Sequence, residues 1–211
     1  MNYYVNENKD ENGKKSSIIV FACIGTFIVA LGIVVYMLIF SYNSFVDARA
    51  DVEKAQTDVE TMMQRRLELI PDLVEVVKSY TKHEEKIFED ISNAENMLIT
   101  AIADDENPDA ISNANTNVSM KVNEMISIVK KDYPEIVSGP QYTSLMDQLE
   151  GSVTRIAVAR EKYNDVVSIY NRKIEKAPGC ILADMFGFER AEEFKADKEA
   201  ERTNLVDMSF D

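Results

Sequence analysis

Few residues in this chain have the type and spacing to do chemistry. His83-Glu84 begins the zinc-protease pattern H-E-x-x-H, in which two imidazoles one helical turn apart face one metal, but position 87 is Ile. His83 is the only histidine, so the two Glu-x-x-His pairs of a carboxylate-bridged di-iron bundle cannot be assembled either. Cys23 and Cys180 are the only cysteines, too few for a disulfide framework or a four-thiolate zinc site. Cys180 has no histidine near it in sequence with which to form a dyad. The seven glycines are scattered, and none builds a phosphate-cradling loop. A phosphorelay through His83 would need an ATP-binding domain for which 211 residues leave no room. Asp104-Asp105-Glu106 is the densest acidic cluster, but it lacks the spaced oxygen ligands and glycine of a calcium loop and reads as solvation at a helix end. The expectation is no catalytic residue, no metal and no cofactor.

Charge narrows the partners. The chain carries 37 acidic and 23 basic residues, a formal net charge of −14. Long-range repulsion then opposes nucleic acid and anionic lipid surfaces as main partners. Residues 1–17 are a short polar tail with three acids and three bases, so the whole excess belongs to residues 41–211.

Residues 18–40, IIVFACIGTFIVALGIVVYMLIF, contain no charge. A helix of that length rises about 35 Å and crosses a hydrocarbon core of roughly 30 Å with some tilt. A cleaved signal peptide would have a shorter apolar region. The small-x-small pattern Ala48-Arg49-Ala50 lies too far beyond the run, and Cys23 stands at its front after a poor lipobox. The expectation is an uncleaved single-pass anchor that contacts membrane lipid. Lys9, Lys14 and Lys15 precede it, and Arg49 and Lys54 follow it. That difference leans towards an extracytoplasmic C-terminal body. Ala22, Thr26 and Ala30 set small side chains at four-residue spacing, which ordinary membrane-helix composition explains as well as a pairing seam does.

The body has to be helical. No glycine occurs between Ser41 and Ser138, which favours long uninterrupted helices. Phe45, Ala48, Val52, Ala55, Val59 and Met62 step by three and four, and the register continues to Arg66 and Leu69. Leu73, Val77, Tyr80, Glu84, Ile87, Ile91, Ala94 and Leu98 form a second stripe. Ile111 to Val129 form a third, and Leu145 to Ile174 a fourth. Pro71, with Ile70 pushed out of helical geometry, separates the first two stripes. Asn107-Pro108 opens the third helix, Pro134 ends it, Ser138-Gly139-Pro140 opens the fourth and Pro178-Gly179 ends that. The predicted fold is all-α, a transmembrane helix followed by a long antiparallel up-and-down four-helix bundle over 41–179. Its helices fall at about 42–69, 72–103, 108–131 and 140–176, joined by short connections. Nothing breaks the chain between Phe40 and Leu69, so span and first helix would form one rod of roughly 75 Å.

Two charges interrupt the apolar registers. Arg66 and Glu84 occupy stripe positions, and a buried charge needs a partner or water. They are candidates for polar networks that set helix register, or else for the wet ends of the bundle. After residue 179 comes an apolar knot, then a charged short helix over about 189–203, and a tail, Leu205 to Phe210, that could dock back. Ile181, Leu182, Met185, Phe186 and Phe188 in the knot are the candidate interaction patch.

These blocks resemble a known family. Tyr42-Asn43-Ser44-Phe45-Val46, then Arg65-Arg66-Leu67-Glu68-Leu69-Ile70-Pro71-Asp72-Leu73-Val74, then Tyr80-Thr81-Lys82-His83-Glu84 look like the LemA family of bacterial membrane proteins. Tyr133-Pro134, Ile156 to Asn164, Tyr170-Asn171 and Gly187-Phe188 agree in order, and the likeness covers 18 to about 210. Phe45 stands where that family more often has Leu. The resemblance implies a single-pass helical protein of the bacterial cell membrane, without established enzymatic activity, and supplies no catalytic residue. The favoured function is a non-enzymatic scaffold or interaction partner for other membrane proteins, compatible with homo-oligomerisation. A membrane-tethered sensor working through a separate output partner is the alternative.

Overall fold

The computed structural model describes residues 4–81, 84–104 and 107–195, with side chains from residue 20 onward. Among the described residues there are six α-helices and no strand. They are α1 (Tyr4–Lys78), α2 (Glu85–Ala103), α3 (Pro108–Asp132), α4 (Pro134–Val137), α5 (Pro140–Glu175) and α6 (Gly179–Phe186). His83, Asp105, Glu106 and the tail Leu205 to Phe210 lie outside the described residues.

The chain divides into two compact units. One contains α1 up to Asp47 together with Ile174–Glu189. The other contains Ala48–Lys173 with the segment from Arg190. In the first unit the apolar run is almost bare of protein: Phe21 is 73% exposed and Tyr36 70%. The run is the candidate membrane span, since a helix pairs its backbone groups internally and needs no water to do so. Thr26 back-bonds through its hydroxyl to the Ala22 and Cys23 carbonyls, so it too is satisfied inside the helix.

In the second unit α1, α2, α3 and α5 each bury a stripe. On α1 the buried positions are Ala48, Val52, Val59, Met63, Arg66, Ile70, Leu73 and Val77. Ala55 is only half-buried, and beyond Val59 the stripe shifts by one residue from the expected Met62 and Leu69 to Met63 and Ile70. The cause is periodicity: a 3.5-residue count drifts about 20° per heptad against a straight 3.6-residue helix.

That shift removes the expected break at Pro71. The predicted helices 42–69 and 72–103 are instead a continuous α1 to Lys78 and a shorter α2 from Glu85. Pro71 faces solvent, so the Leu67 carbonyl that loses its N–H partner is on the wet side. Ile70 and Leu73, both fully buried, hold the helix on either side of it. The turn comes eight residues later, where Ser79 Oγ bonds the Val76 carbonyl at 2.7 Å and Tyr80 points outward, 56% exposed. Neither Tyr80 nor Glu84 continues the stripe.

α2 and α3 pack as an antiparallel pair, tied by Lys121 to Asp90 at 3.1 Å. Every residue of the predicted third stripe is buried. Its start is as expected: the Asn107 side chain accepts from Ala110 N at 2.9 Å, with Pro108 in the first turn. α5 buries Tyr142, Leu149, Ser152, Ile156, Tyr163, Val167 and Tyr170 in this unit, while Leu145 and Ala159 are half-buried.

Replacing Pro71 with Ala restores one backbone hydrogen bond in an uninterrupted helix. Pro71→Ala is expected to raise the unfolding free energy of the detergent-solubilised chain by about 1–3 kcal/mol, read by chemical denaturation. A loss of stability would mean that Pro71 marks a helix end.

Candidate functional site: a buried arginine and a clasped segment

Arg66 is 5% exposed on the inner face of α1. Its Nη1 donates to Asn115 Oδ1 at 3.2 Å and to Ser119 Oγ at 2.9 Å, both on α3. Ser119 passes the bond on to the Asn115 carbonyl at 3.0 Å. The guanidinium is therefore held by neutral groups, and its buried Nε has no partner among the described residues. Burial lowers its pKa, though an arginine remains charged. An ion held this way is costly by itself and gains its value from geometry: only one rotation of α1 against α3 offers both acceptors.

Glu84 is elsewhere. It stands at the start of α2, half-buried, with no side-chain capping bond. The structure does not bring it to Arg66. Glu95 on α2, which the apolar pattern passes over, has a buried oxygen without a partner among the described residues, and burial raises its pKa above the usual glutamate range. Asn115 was equally invisible, since polar residues beside a stripe are ordinarily solvated.

The second feature is the segment after α6. Residues 191–195 are neither helix nor strand, so the predicted charged helix does not form there, and 196–203 lie outside the described residues. Asn171 clasps Ala191, its Nδ2 donating to the Ala191 carbonyl and its Oδ1 accepting from the Ala191 N–H, both at 2.9 Å. Asn164 clasps Phe194 in the same way, at 2.8 and 2.9 Å. The spacings match: seven residues of α5 rise about 10.5 Å, and three extended residues cover about 10 Å. Each asparagine thus replaces a strand neighbour. Between them Tyr163 donates its hydroxyl to the Glu192 carbonyl at 2.9 Å and meets the Phe194 ring edge-on at 5.0 Å. The Arg160 guanidinium lies over that ring, 5.2 Å from its centroid, and Phe194 is buried. Lys195 bonds Asp109 of α3.

This clasp has a legible trace. Tyr163-Asn164 and Tyr170-Asn171 repeat at seven residues, and asparagine twice in a helix interior goes against propensity.

The LemA family profile matches residues 55–210. The chain belongs to the LemA family. Among its relatives are magnetosome proteins MamQ 1 and MamQ 2 of Paramagnetospirillum magneticum, each 28% identical over 80% of this chain and 70% of the relative. Magnetosome protein MamQ of Magnetospirillum gryphiswaldense is 27% identical over 74% of this chain and 65% of its own length. Family, relatives and apolar span together make this a membrane-associated protein. Both clasp asparagines and Arg66 fall within the matched LemA region.

Among the described residues no three His, Cys, Asp or Glu side chains gather as a metal site. The patch residues lie on or just after α6: Ile181, Met185 and Phe186 are exposed, while Leu182 and Phe188 are half-buried. Cys180 is exposed as a free thiol.

Arg66→Ala strands Asn115 Oδ1 and opens a cavity, and is expected to cost about 2–4 kcal/mol in chemical unfolding. Unchanged stability would remove Arg66 from any structural role. Asn171→Ala removes two bonds to the strap. It should speed amide exchange at Ala191 and Phe194 by about ten-fold or more while leaving α2 and α3 protected.

Proposed function

We propose that this LemA-family protein is a single-pass anchor for an up-and-down four-helix bundle that binds other membrane proteins and catalyses no reaction itself. One observation carries the reading. The charge-free run continues as the same helix, α1, into the stripe that buries Val52, Val59 and Met63. A span built into the body in this way supports a role in presenting that body at the bilayer. Stripes on α1, α2, α3 and α5, joined by short connections, support the bundle. The lysines ahead of the span support placing it outside the bacterial cytoplasm. The relatives are named as magnetosome proteins, and by that likeness the partners belong to a membrane.

A sensor is the second reading, favoured by a groove of about 390 Å³ between α1 and α5. Ala55, Met62, Val158 and Ala159 give it an apolar floor, and Asp58, Arg155 and Lys162 rim it. That size and mixture suit a small ligand.

The test places a photo-crosslinking amino acid at exposed body positions, Met97, Val153 and Ile169, in cells expressing the full chain. The expected result is a discrete membrane-protein adduct at one of them, abolished by a charge-reversing change beside that position. No such adduct, together with a several-degree thermal shift of the purified chain by one metal or metabolite at micromolar level, would replace the scaffold with the sensor.

A further inference from the structure

α6 is eight residues, Gly-Cys-Ile-Leu-Ala-Asp-Met-Phe, with one charge. At 100° per residue Ile181 and Met185 fall on one side and the buried Ala183 on the opposite side. The side turned away from protein is thus the apolar one: Ile181 is 70% exposed and Met185 59%. Water is a poor neighbour for such a face.

Its place in the first unit names a better one. The Phe186 ring meets Tyr42 edge-on at 5.1 Å, and Phe188 meets Tyr42 at 5.8 Å and Phe45 at 5.4 Å. Tyr42 is two residues past the end of the apolar run 18–40, a rise of about 3 Å. Tyr36 and Phe40 stack just before it, at 6.4 Å. Aromatic rings gathered where a span leaves the hydrocarbon are the usual furniture of the headgroup level. Gly187, with φ of 73°, closes the helix and turns the chain away: Phe188 N bonds the Ala183 carbonyl at 2.9 Å.

We propose that α6 is a second membrane element, a short interfacial helix whose Ile181–Met185 face lies in the headgroup and upper acyl region beside the span. The occupant of this face is lipid, not protein. Apolar burial drives the contact, because a chain of net charge −14 gains nothing from an anionic surface. The proposal stands on the span and is independent of any protein partner, so the two can fail separately.

The experiment uses the full chain in phosphatidylcholine nanodiscs, with Cys23→Ser and Cys180→Ser removing the native thiols. Single cysteines at Ile181, Met185 and, as a control on the body, Val153 carry an environment-sensitive fluorophore. Lipids bearing a nitroxide near the headgroup are expected to quench Ile181→Cys and Met185→Cys at least about two-fold more than Val153→Cys, with no dependence on salt. Quenching by aqueous iodide alone would put the face in water and overturn the proposal. Protection from both quenchers would mean that protein covers it, and would overturn the proposal equally. A Cys180 reporter in a Cys23→Ser chain, which leaves Ile181 and Met185 intact, repeats the measurement if either substitution loosens α6.

Discussion

Hydrocarbon offers no hydrogen bonds, so a chain that crosses it must pair every backbone group within itself. In the candidate span, residues 20–40, a helix meets this constraint whatever the side chains prefer. β-branched Ile and Val, which lose rotamer freedom in helices, fill much of the run without breaking it. Once begun, α1 has no reason to stop at the interface. No glycine or proline follows until Pro71, and each added residue gains a hydrogen bond after the costly nucleus has formed.

In the second unit α1 buries an inner face, from which Arg66 reaches α3. Apolar side chains make up most of that face, and they pack non-directionally. Arg66 adds direction. A guanidinium whose acceptors among the described residues are Asn115 and Ser119 penalises rotation or sliding of α1 against α3 in a way that Leu in its place would not. The clasp on α5 works by the same principle. Asn164 and Asn171 each offer a donor and an acceptor in the plane of an amide, the pairing an extended chain would otherwise seek from a strand. A backbone segment between helices is thereby satisfied without a sheet.

Stripes at 3- and 4-residue steps were readable because burial of a helix face is periodic. The third survives residue by residue, and α3 begins at the Asn107-Pro108 signal. Errors arose where one local rule was given too much weight. Pro71 read as a helix end because proline removes a donor, but a proline on the solvent side costs only that bond, and Ile70 and Leu73 offset it by burial. Tyr80 and Glu84 were drawn into a stripe that the turn had already ended. The charged run after residue 189 read as helix because its composition is helix-forming. Two asparagines on α5 take up the backbone groups of Ala191 and Phe194 instead.

The sequence by itself determined the helical class, the apolar span, the acidic body and the LemA family membership, because each is a property of composition, of period or of ordered local blocks. Tertiary structure alone decided which polar residues are structural. Arg66 finds Asn115 across 49 positions, and Ala191 finds Asn171 across a turn and a short helix. Such pairings depend on two surfaces meeting at hydrogen-bond distance in one orientation, and nothing in the local pattern of either segment encodes the other. The same holds for α6. Its apolar side chains are plain in the sequence, but their position beside Tyr42 at the end of the span is set by aromatic packing between residues more than 140 apart.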